Sequence, residues 1–325
     1  MAPIFLTPPT DPHTALSISA QANTFLSAQK TLWSSLPYPL SLFLNTESQE
    51  KWTSYENLFL ALLRTGDHDN AYTCLEALTT RFGKTNDHIL ALQGLYQEAT
   101  AKDKEELEEV MKAYDEVLKE DQTIFSVRKR RAALLRSVGK PEEAIADLTV
   151  LLDASPTDGE AWAELSDLYL EVGALEQAVY CLEEVLLVTP HAWNMHARLG
   201  EVLYMSAVKM EGGEQTKTLS DSMRRFCRSI ELCDGYLRGY YGLRLTTSKL
   251  LEVLHDGKKG QVATSDPVTG DLAPPSVASY GEEAQPTCYC EAGRDSGEKG
   301  WDGYSEAELK AAKALIDSDT QKIER

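Results

Sequence analysis

The sequence predicts an all-α protein in which pairs of helices repeat along the chain. Two neighbouring stretches are self-similar at an offset of 34 residues. Four positions carry the match: Gly139, Ala144, Leu148 and Pro156 return as Gly173, Ala178, Leu182 and Pro190. Apolar residues inside the second copy have the spacing of one helix stripe: Trp162, Leu165 and Tyr169. A helix pair cannot bury such a stripe alone, so we expect neighbouring copies to stack.

A period of 34 residues with two helices is that of the tetratricopeptide repeat. The second copy resembles the consensus of that family, with Ser166 where glycine is usual, in the following residues: Trp162, Leu165, Tyr169, Ala178, Leu182 and Pro190. Gly173 is expected to relax the turn, and the small Ala178 to let the second helix approach closely. Pro190 should end that helix, because proline cannot continue one.

Weaker copies extend the array in both directions. One covers residues 55–83, with Gly83 at the usual proline position, and a looser one covers residues 86–121 with a lengthened charged turn. A further first helix holds Leu199 and Gly200, and about ten extra residues containing Gly212 and Gly213 displace its partner helix. Residues 240–243 begin a last helix. We therefore predict a tetratricopeptide-repeat superhelix, an α-solenoid, over residues 51–255, since roughly three copies suffice for stability.

Three further segments flank the array. Residues 1–50 are predicted to form an N-terminal capping segment with a helix at 13–35, where apolar residues have helical spacing. Residues 256–304 hold eight Gly and four Pro in 49 positions, which predicts a flexible acidic linker. Ser305 and Glu308 have the spacing of a capping box, so residues 305–325 are predicted to form a C-terminal amphipathic helix.

Composition argues against several classes of function. The formal net charge of −19 disfavours binding to nucleic acid or to anionic lipid, both of which need clusters of Lys and Arg. No run approaches the roughly 18 to 20 apolar residues of a membrane span, and the N-terminus lacks the pattern of a secretory signal. We therefore expect a cytosolic chain without a span of its own.

The sequence shows no cluster typical of catalysis or of a metal site. Its six histidines are scattered, and His191 and His196 lack the i, i+4 spacing of a helical metal pair. Cys288 and Cys290 form the only tight cysteine pair, where zinc usually needs two. We expect reduced thiols, no metal, no cofactor and no enzymatic activity.

Charge is unevenly distributed between neighbouring repeats. Residues 157–190 hold eight acidic residues and no Lys or Arg, whereas the helix upstream is basic. The basic residues of that first helix are Arg128, Lys129, Arg130, Arg131, Arg136 and Lys140. Two interpretations stay open: successive repeats attract each other, or a groove with a basic end and an acidic middle binds proteins of mixed charge.

In such arrays, one side of each first helix lines an inner groove. By repeat phase, we predict the partner-binding residues to be Lys129, Arg136, Glu160, Asp167, Leu170, Asn194 and Glu201. Chaperone-binding members of the family grip a peptide carboxylate with Lys and Asn. Here Lys129 fits that pattern, but Ala133 and Glu164 stand where Asn is expected, which disfavours a carboxylate clamp.

An ordered series of motifs resembles one family in particular. The motifs are Trp52-x-x-Tyr55-Glu56, Arg128-Lys129-Arg130, Glu142-Glu143-Ala144-Ile145, Glu160-Ala161-Trp162-x-Glu164-Leu165, Tyr180-Cys181-Leu182-Glu183-Glu184 and Pro190-His191. Together they look like subunit 2 of the endoplasmic reticulum membrane protein complex, over roughly residues 50 to 250.

That resemblance implies a function. The family is a cytosolic tetratricopeptide subunit of a membrane insertase, which helps tail-anchored and weakly hydrophobic segments enter the endoplasmic reticulum membrane. The chain would then be a peripheral, non-catalytic scaffold in a hetero-oligomer, in contact with the cytosolic parts of other subunits. The alternatives are a free co-chaperone adaptor that binds peptide tails in its groove, and an enzyme accompanied by repeats.

Overall fold

A computed structural model describes residues 3–6, 8–9, 12–27 and 49–257, together with residues 310 and 314. The chain divides into two compact units, Met1–Asp147 and Leu148–Arg325. Every regular element of the described ranges is helical, and none of these residues belongs to a strand. This confirms the all-α prediction. Nearly all of the predicted linker at 256–304 and of the helix at 305–325 lies outside the described residues.

The first unit contains a 3-10 turn and the first α-helices. Their bounds are Pro3–Leu6 for the turn, then α1 Pro12–Ala20, α2 Gln49–Thr65, α3 His68–Phe82, α4 Asp87–Thr100, α5 Lys104–Glu120 and α6 Phe125–Ser137. Helix α7, Pro141–Ala154, begins in this unit and ends in the second. Residues 22–27 are also helical, after a turn at Gln21.

The second unit continues the alternation of first and second helices. Its helices are α8 Gly159–Glu171, α9 Leu175–Val188, α10 Trp193–Val208, α11 Gly212–Leu232 and α12 Leu237–Gly257. Helices α8 and α9 form one pair, α10 and α11 the next, and α12 packs on both α10 and α11. Among the described residues, no helix is both long enough and apolar enough to cross a membrane.

The sequence motifs act as predicted at the ends of the helices. Gly139 and Gly173 have φ angles of 84° and 80°, a left-handed conformation that side chains with a β-carbon disfavour. Each glycine therefore allows the chain to reverse between the two helices of a pair. Helix α7 ends before Pro156 and α9 ends before Pro190. The side chain of Asp158 accepts a hydrogen bond from the amide of Ala161 and caps α8.

The N-terminal segment packs on α2 through aromatic rings. Phe5 is buried, its ring centroid lies 4.7 Å from that of Phe25, and Phe25 lies 5.4 Å from Tyr55. The Asn57 side chain also donates a hydrogen bond to the Phe5 carbonyl, at 3.0 Å. Sequence reasoning missed this 3-10 turn, because a short proline-rich stretch has no helical period. Of the helix expected at 13–35, residues 28–35 lie outside the described residues.

Extra residues lengthen helices where the sequence suggested longer connections. Helix α11 has 21 residues and α10 has 16, whereas α8 and α9 have 13 and 14. The segment around Gly212 and Gly213 begins α11 and does not form a loop. Likewise, the charged residues from Lys104 onward belong to α5, and the turn before them covers only residues 101–103.

Phe226 joins three helices of the second unit. Its ring is buried and lies against Gly200 of α10 and Gly242 of α12. A β-carbon on Gly200 would lie 3.0 Å from the ring, closer than ordinary van der Waals contact. The missing side chains at these two glycines therefore leave the space that the Phe226 ring fills.

Candidate protein-binding surface

The seven predicted groove residues lie on first helices in both units. Lys129 and Arg136 belong to α6 in the first unit. The other five belong to α8 and α10 in the second: Glu160, Asp167, Leu170, Asn194 and Glu201. Glu160 and Asn194 are exposed, and the other five are half-buried. Their positions on first helices agree with the repeat phase, and their role in binding a partner stays a prediction.

In the second unit, ion pairs connect two of these residues. Arg198 of α10 lies 2.9 Å from the Asp167 carboxylate and 3.3 Å from that of Glu201. The guanidinium of Arg238 on α12 donates two hydrogen bonds to the Glu201 carboxylate. One comes from Nη2, at 2.6 Å, and a shorter one comes from Nε. A line of alternating charge therefore joins the first helices α8, α10 and α12. Sequence reasoning missed Arg198 and Arg238 because their pairing depends on which sides of neighbouring helices meet.

In the first unit, similar pairs connect α2 to α4 and α4 to α6. The His88 ring lies 3.0 Å from the Glu56 carboxylate. Arg130 pairs with Glu98, which also accepts a hydrogen bond of 2.5 Å from the Tyr114 hydroxyl. The Glu98 side chain is only 13% exposed, so this second pair is largely shielded from water.

We call these four pairs the first-helix ladder: Glu56–His88, Glu98–Arg130, Asp167–Arg198 and Glu201–Arg238. In each pair, a carboxylate on one first helix meets a basic side chain on the next. The partners are 32, 32, 31 and 37 residues apart, close to one repeat. Opposite charges spaced by about one repeat were therefore a signal in the sequence that could have revealed them.

The basic helix α6 is balanced by acids of its own unit. Arg131 lies 2.8 Å from Asp115 of α5 and also pairs with Asp147, and the buried Arg128 lies 3.8 Å from Asp147. These pairs are attractions between helices, the kind that the first of the two charge interpretations expects. Their acids, however, lie outside the acidic stretch at 157–190. Three arginines of α6, Arg128, Arg130 and Arg131, thus form ion pairs with carboxylates of other helices.

Burial controls the ionisation of several side chains. It raises the pKa of the Cys74 and Cys181 thiols to about 12, so both are protonated at neutral pH. The pKa of His88 is raised by its hydrogen bond to Glu56. The pKa of His196 is lowered, mainly by burial. Within the described ranges, no three His, Cys, Asp or Glu side chains gather in a way that could hold a metal ion.

Comparison with known proteins gives three kinds of match. The model of the EMC2 TPR-like repeat domain family matches residues 88–211. The fission yeast TPR repeat protein oca3 is 36% identical over 210 residues, which cover 65% of this chain and 71% of that protein. ER membrane protein complex subunit 2-A of Xenopus laevis is 31% identical over 196 residues, and its counterpart in Saccharomyces cerevisiae is 27% identical over 201.

The alignment spans 62% of the length of the Xenopus protein and 68% of the yeast subunit. Among solved structures, a TPR repeat-containing protein from Cytophaga hutchinsonii aligns with a TM-score of 0.50. It shares 13% sequence identity, and the alignment covers 85% of this chain and 96% of that one. At that identity the likeness shows the fold alone, a tetratricopeptide-repeat solenoid.

Proposed function

The chain belongs to the EMC2 family of tetratricopeptide-repeat proteins, and from this we propose that it is a non-catalytic scaffold subunit of an endoplasmic reticulum membrane protein complex. The observation that carries the proposal is the match itself, because relatives in a frog and in yeast are named as subunits of that complex. The repeat fold supports it, since stacked helix pairs present extended surfaces suited to binding proteins.

The first-helix ladder supports a scaffolding role physically. A surface that is already ordered loses little conformational entropy when a partner binds, so more of the contact energy appears as affinity. Within the second unit, the pairs from Asp167 to Arg238 restrain side chains of α8, α10 and α12 through attractive contacts. We propose that the seven groove residues contact segments of partner subunits; two of the seven, Asp167 and Glu201, belong to this ladder.

A non-catalytic role is also supported by the state of the thiols. A cysteine acts as a nucleophile through its thiolate, which forms when positive surroundings lower the pKa. Burial has the opposite effect on Cys74 and Cys181, whose pKa is raised to about 12. Both thiols pack in the helical core and fit a structural role.

We further propose that the chain lies on the cytosolic face of the membrane and supports insertion of tail-anchored and weakly hydrophobic segments. The experiment is deletion of the gene, followed by measurement of how much of a tail-anchored reporter is inserted. A weakly hydrophobic anchor should lose most of its insertion, whereas a strongly hydrophobic anchor serves as the control and should be unaffected. Equal insertion of both reporters with and without the chain would contradict this role.

The proposed groove is tested by placing positive charge at its two exposed members, Glu160 and Asn194. The double variant Glu160→Arg and Asn194→Arg should reduce co-purification of partner subunits while the helical circular dichroism signal is kept. The matched control is Glu116→Arg, an exposed acidic position on the second helix α5. If the control variant loses partners as completely as the double variant, these positions are not the binding surface.

A further inference from the structure

The second unit contains a cleft of about 640 Å³ that none of the groove residues lines. It lies between α7, α8 and α9, and its residues include Trp162 and Tyr169 of α8 and Tyr180 of α9. On α8, Trp162 follows Glu160 by two residues and Tyr169 follows Asp167 by two. Because successive helical residues differ by 100°, the cleft opens on a different side of α8 from those groove positions.

Aromatic rings form two walls of this cleft. The rings of Trp162 and Tyr180 lie 5.9 Å apart at 80° to each other. The Trp162 indole donates a hydrogen bond of 2.8 Å to the Pro156 carbonyl, which fixes its orientation. Tyr180 is 56% exposed, although its ring is large and apolar, and its hydroxyl is hydrogen-bonded to Glu184. The walls are therefore fixed in place but open to a ligand.

The charges at the cleft are all negative. Asp153 of α7 and Glu176 of α9 line it, and no Lys or Arg does. Neither carboxylate forms an ion pair with a residue that the structure describes, and Glu184 lies beside Tyr180. Aromatic faces attract cations through their electron density, and nearby carboxylates add a direct Coulomb attraction. Both features of the cleft thus favour a positively charged group.

An exposed apolar strip continues from the cleft along α9. Leu187 is 77% exposed and follows Tyr180 by seven residues, which places the two on the same side of the helix. A polypeptide ligand could cover this strip while one of its basic side chains enters the cleft. A free cation of small size would leave the strip exposed.

A comparable cleft in the first unit provides a contrast. It measures about 660 Å³ and is lined by Tyr72 and Tyr96, whose rings lie 5.8 Å apart. Its charged lining residues are Glu76 and Lys84, which have opposite signs. A cation would be repelled by Lys84 there, so of these two clefts it is the one in the second unit that combines aromatic walls with charge of one sign.

We propose that the cleft formed by Trp162, Tyr169 and Tyr180, with Asp153 and Glu176 at its margin, binds an arginine side chain of a partner polypeptide. The planar guanidinium stacks on an aromatic ring and can donate two hydrogen bonds to one carboxylate, which lysine cannot do. This inference concerns the chemistry of one surface and does not depend on membership of a membrane complex.

The test is a binding titration of the full chain with a labelled peptide of alternating Gly and Arg, at physiological salt. The reference peptide carries citrulline, a neutral isostere, at every arginine position. The arginine peptide should bind about tenfold more tightly than the citrulline peptide. Tyr180→Ala and Glu176→Gln should each weaken its binding several-fold, whereas Tyr180→Phe, which keeps the ring, should retain most of it.

The matched control is Tyr72→Ala. Tyr72 is 54% exposed and its ring lies against that of Tyr96 in the cleft of the first unit, which has lining charges of both signs. This variant should bind the arginine peptide as the unmodified chain does. Equal affinity for the two peptides, or no binding at all, would overturn the proposal. Equal weakening by Tyr72→Ala and Tyr180→Ala would also overturn it, since binding would then not depend on the cleft of the second unit in particular.

Discussion

A β-carbon on Gly242 would lie 2.1 Å from the ring of Phe226, which no packed structure tolerates. Glycine at position 242 of α12 is therefore what allows the Phe226 ring to lie directly on the backbone of that helix. The same ring contacts Gly200 of α10 from the other direction. Three helices of the second unit thus depend on one aromatic side chain and two positions without side chains.

The first prediction concerns this contact. Gly242→Ala should lower the free energy of unfolding by about 2 kcal/mol or more, because the added methyl group forces Phe226 out of its position. The loss should appear as a fall in Tm of roughly 5 °C. Urea denaturation followed by circular dichroism measures it. Phe226→Leu introduced into the same variant should recover part of the loss, since the smaller side chain leaves room.

Gly213→Ala is the matched control for that variant. Gly213 is also helical, in α11, and a β-carbon there would meet nothing within 4 Å. Alanine favours helices over glycine, so this change should be neutral or slightly stabilising. If both variants lose the same stability, the account of the Phe226 contact is wrong.

The second prediction concerns the buried pair of the first-helix ladder. Arg130→Ala leaves the Glu98 carboxylate, which is 13% exposed, without its cationic partner. A charge left unpaired in such a position destabilises the fold, here by about 1–3 kcal/mol in the free energy of unfolding. A double-mutant cycle with Glu98→Gln measures the coupling. The paired variant should recover stability relative to Arg130→Ala.

Lys140→Ala serves as the comparison for an exposed pair in the same unit. Lys140 and Glu143 are each 55% exposed, so water already screens their attraction. Loss of this pair should cost less than about 1 kcal/mol. A cost as large as that of Arg130→Ala would show that burial does not set the strength of these pairs.

The third prediction concerns pH and His196. Its Nε2 donates a hydrogen bond of 3.0 Å to the Pro190 carbonyl, and its Nδ1 has no hydrogen-bond partner among the described residues. Burial lowers its pKa, and so does the positive charge of Arg225 and Arg228. The unfolded chain, with a pKa of about 6.5, therefore binds this proton more readily than the folded chain. The free energy of unfolding should therefore fall as the pH drops from above about 6.5 towards the lower pKa of the folded chain.

Urea denaturation at a series of pH values tests this assignment. In His196→Gln, the amide can still donate to the Pro190 carbonyl but carries no titratable group. The decrease in stability between about pH 7.5 and pH 5.5 should be smaller in this variant than in the unmodified chain. An identical decrease in both would show that His196 does not contribute to the pH dependence.

The fourth prediction concerns the thiols. With a pKa of about 12, Cys74 and Cys181 hold a thiolate fraction of about 10⁻⁴ at pH 8, and both are buried. Iodoacetamide should label neither residue in the native chain, and both once the chain is unfolded. Cys227, which is half-buried, should react first among the four described cysteines. Peptide mass spectrometry identifies the labelled positions, and native labelling of Cys74 as fast as that of Cys227 would contradict this picture.

Local signals in the sequence predicted much of the fold. Gly173 and Pro190 act through the backbone conformation of their own position, and Ala178 acts through its size, so each could be interpreted without the structure. Contacts between repeats were harder to predict. The pairing of Asp167 with Arg198 depends on which sides of α8 and α10 meet, and the contact of Phe226 with Gly242 depends on how far α11 extends. A search of the sequence for opposite charges about one repeat apart would have found the pair of Asp167 and Arg198.

Purification of the tagged chain from detergent-solubilised endoplasmic reticulum membranes, with quantitative mass spectrometry of what accompanies it, tests the central proposal most directly. A scaffold subunit should be recovered with several membrane-spanning proteins in fixed, near-equal proportion, in a particle far larger than the 36.0 kDa chain. Recovery of the chain as a monomer without membrane proteins, under conditions in which other membrane complexes stay intact, would contradict it.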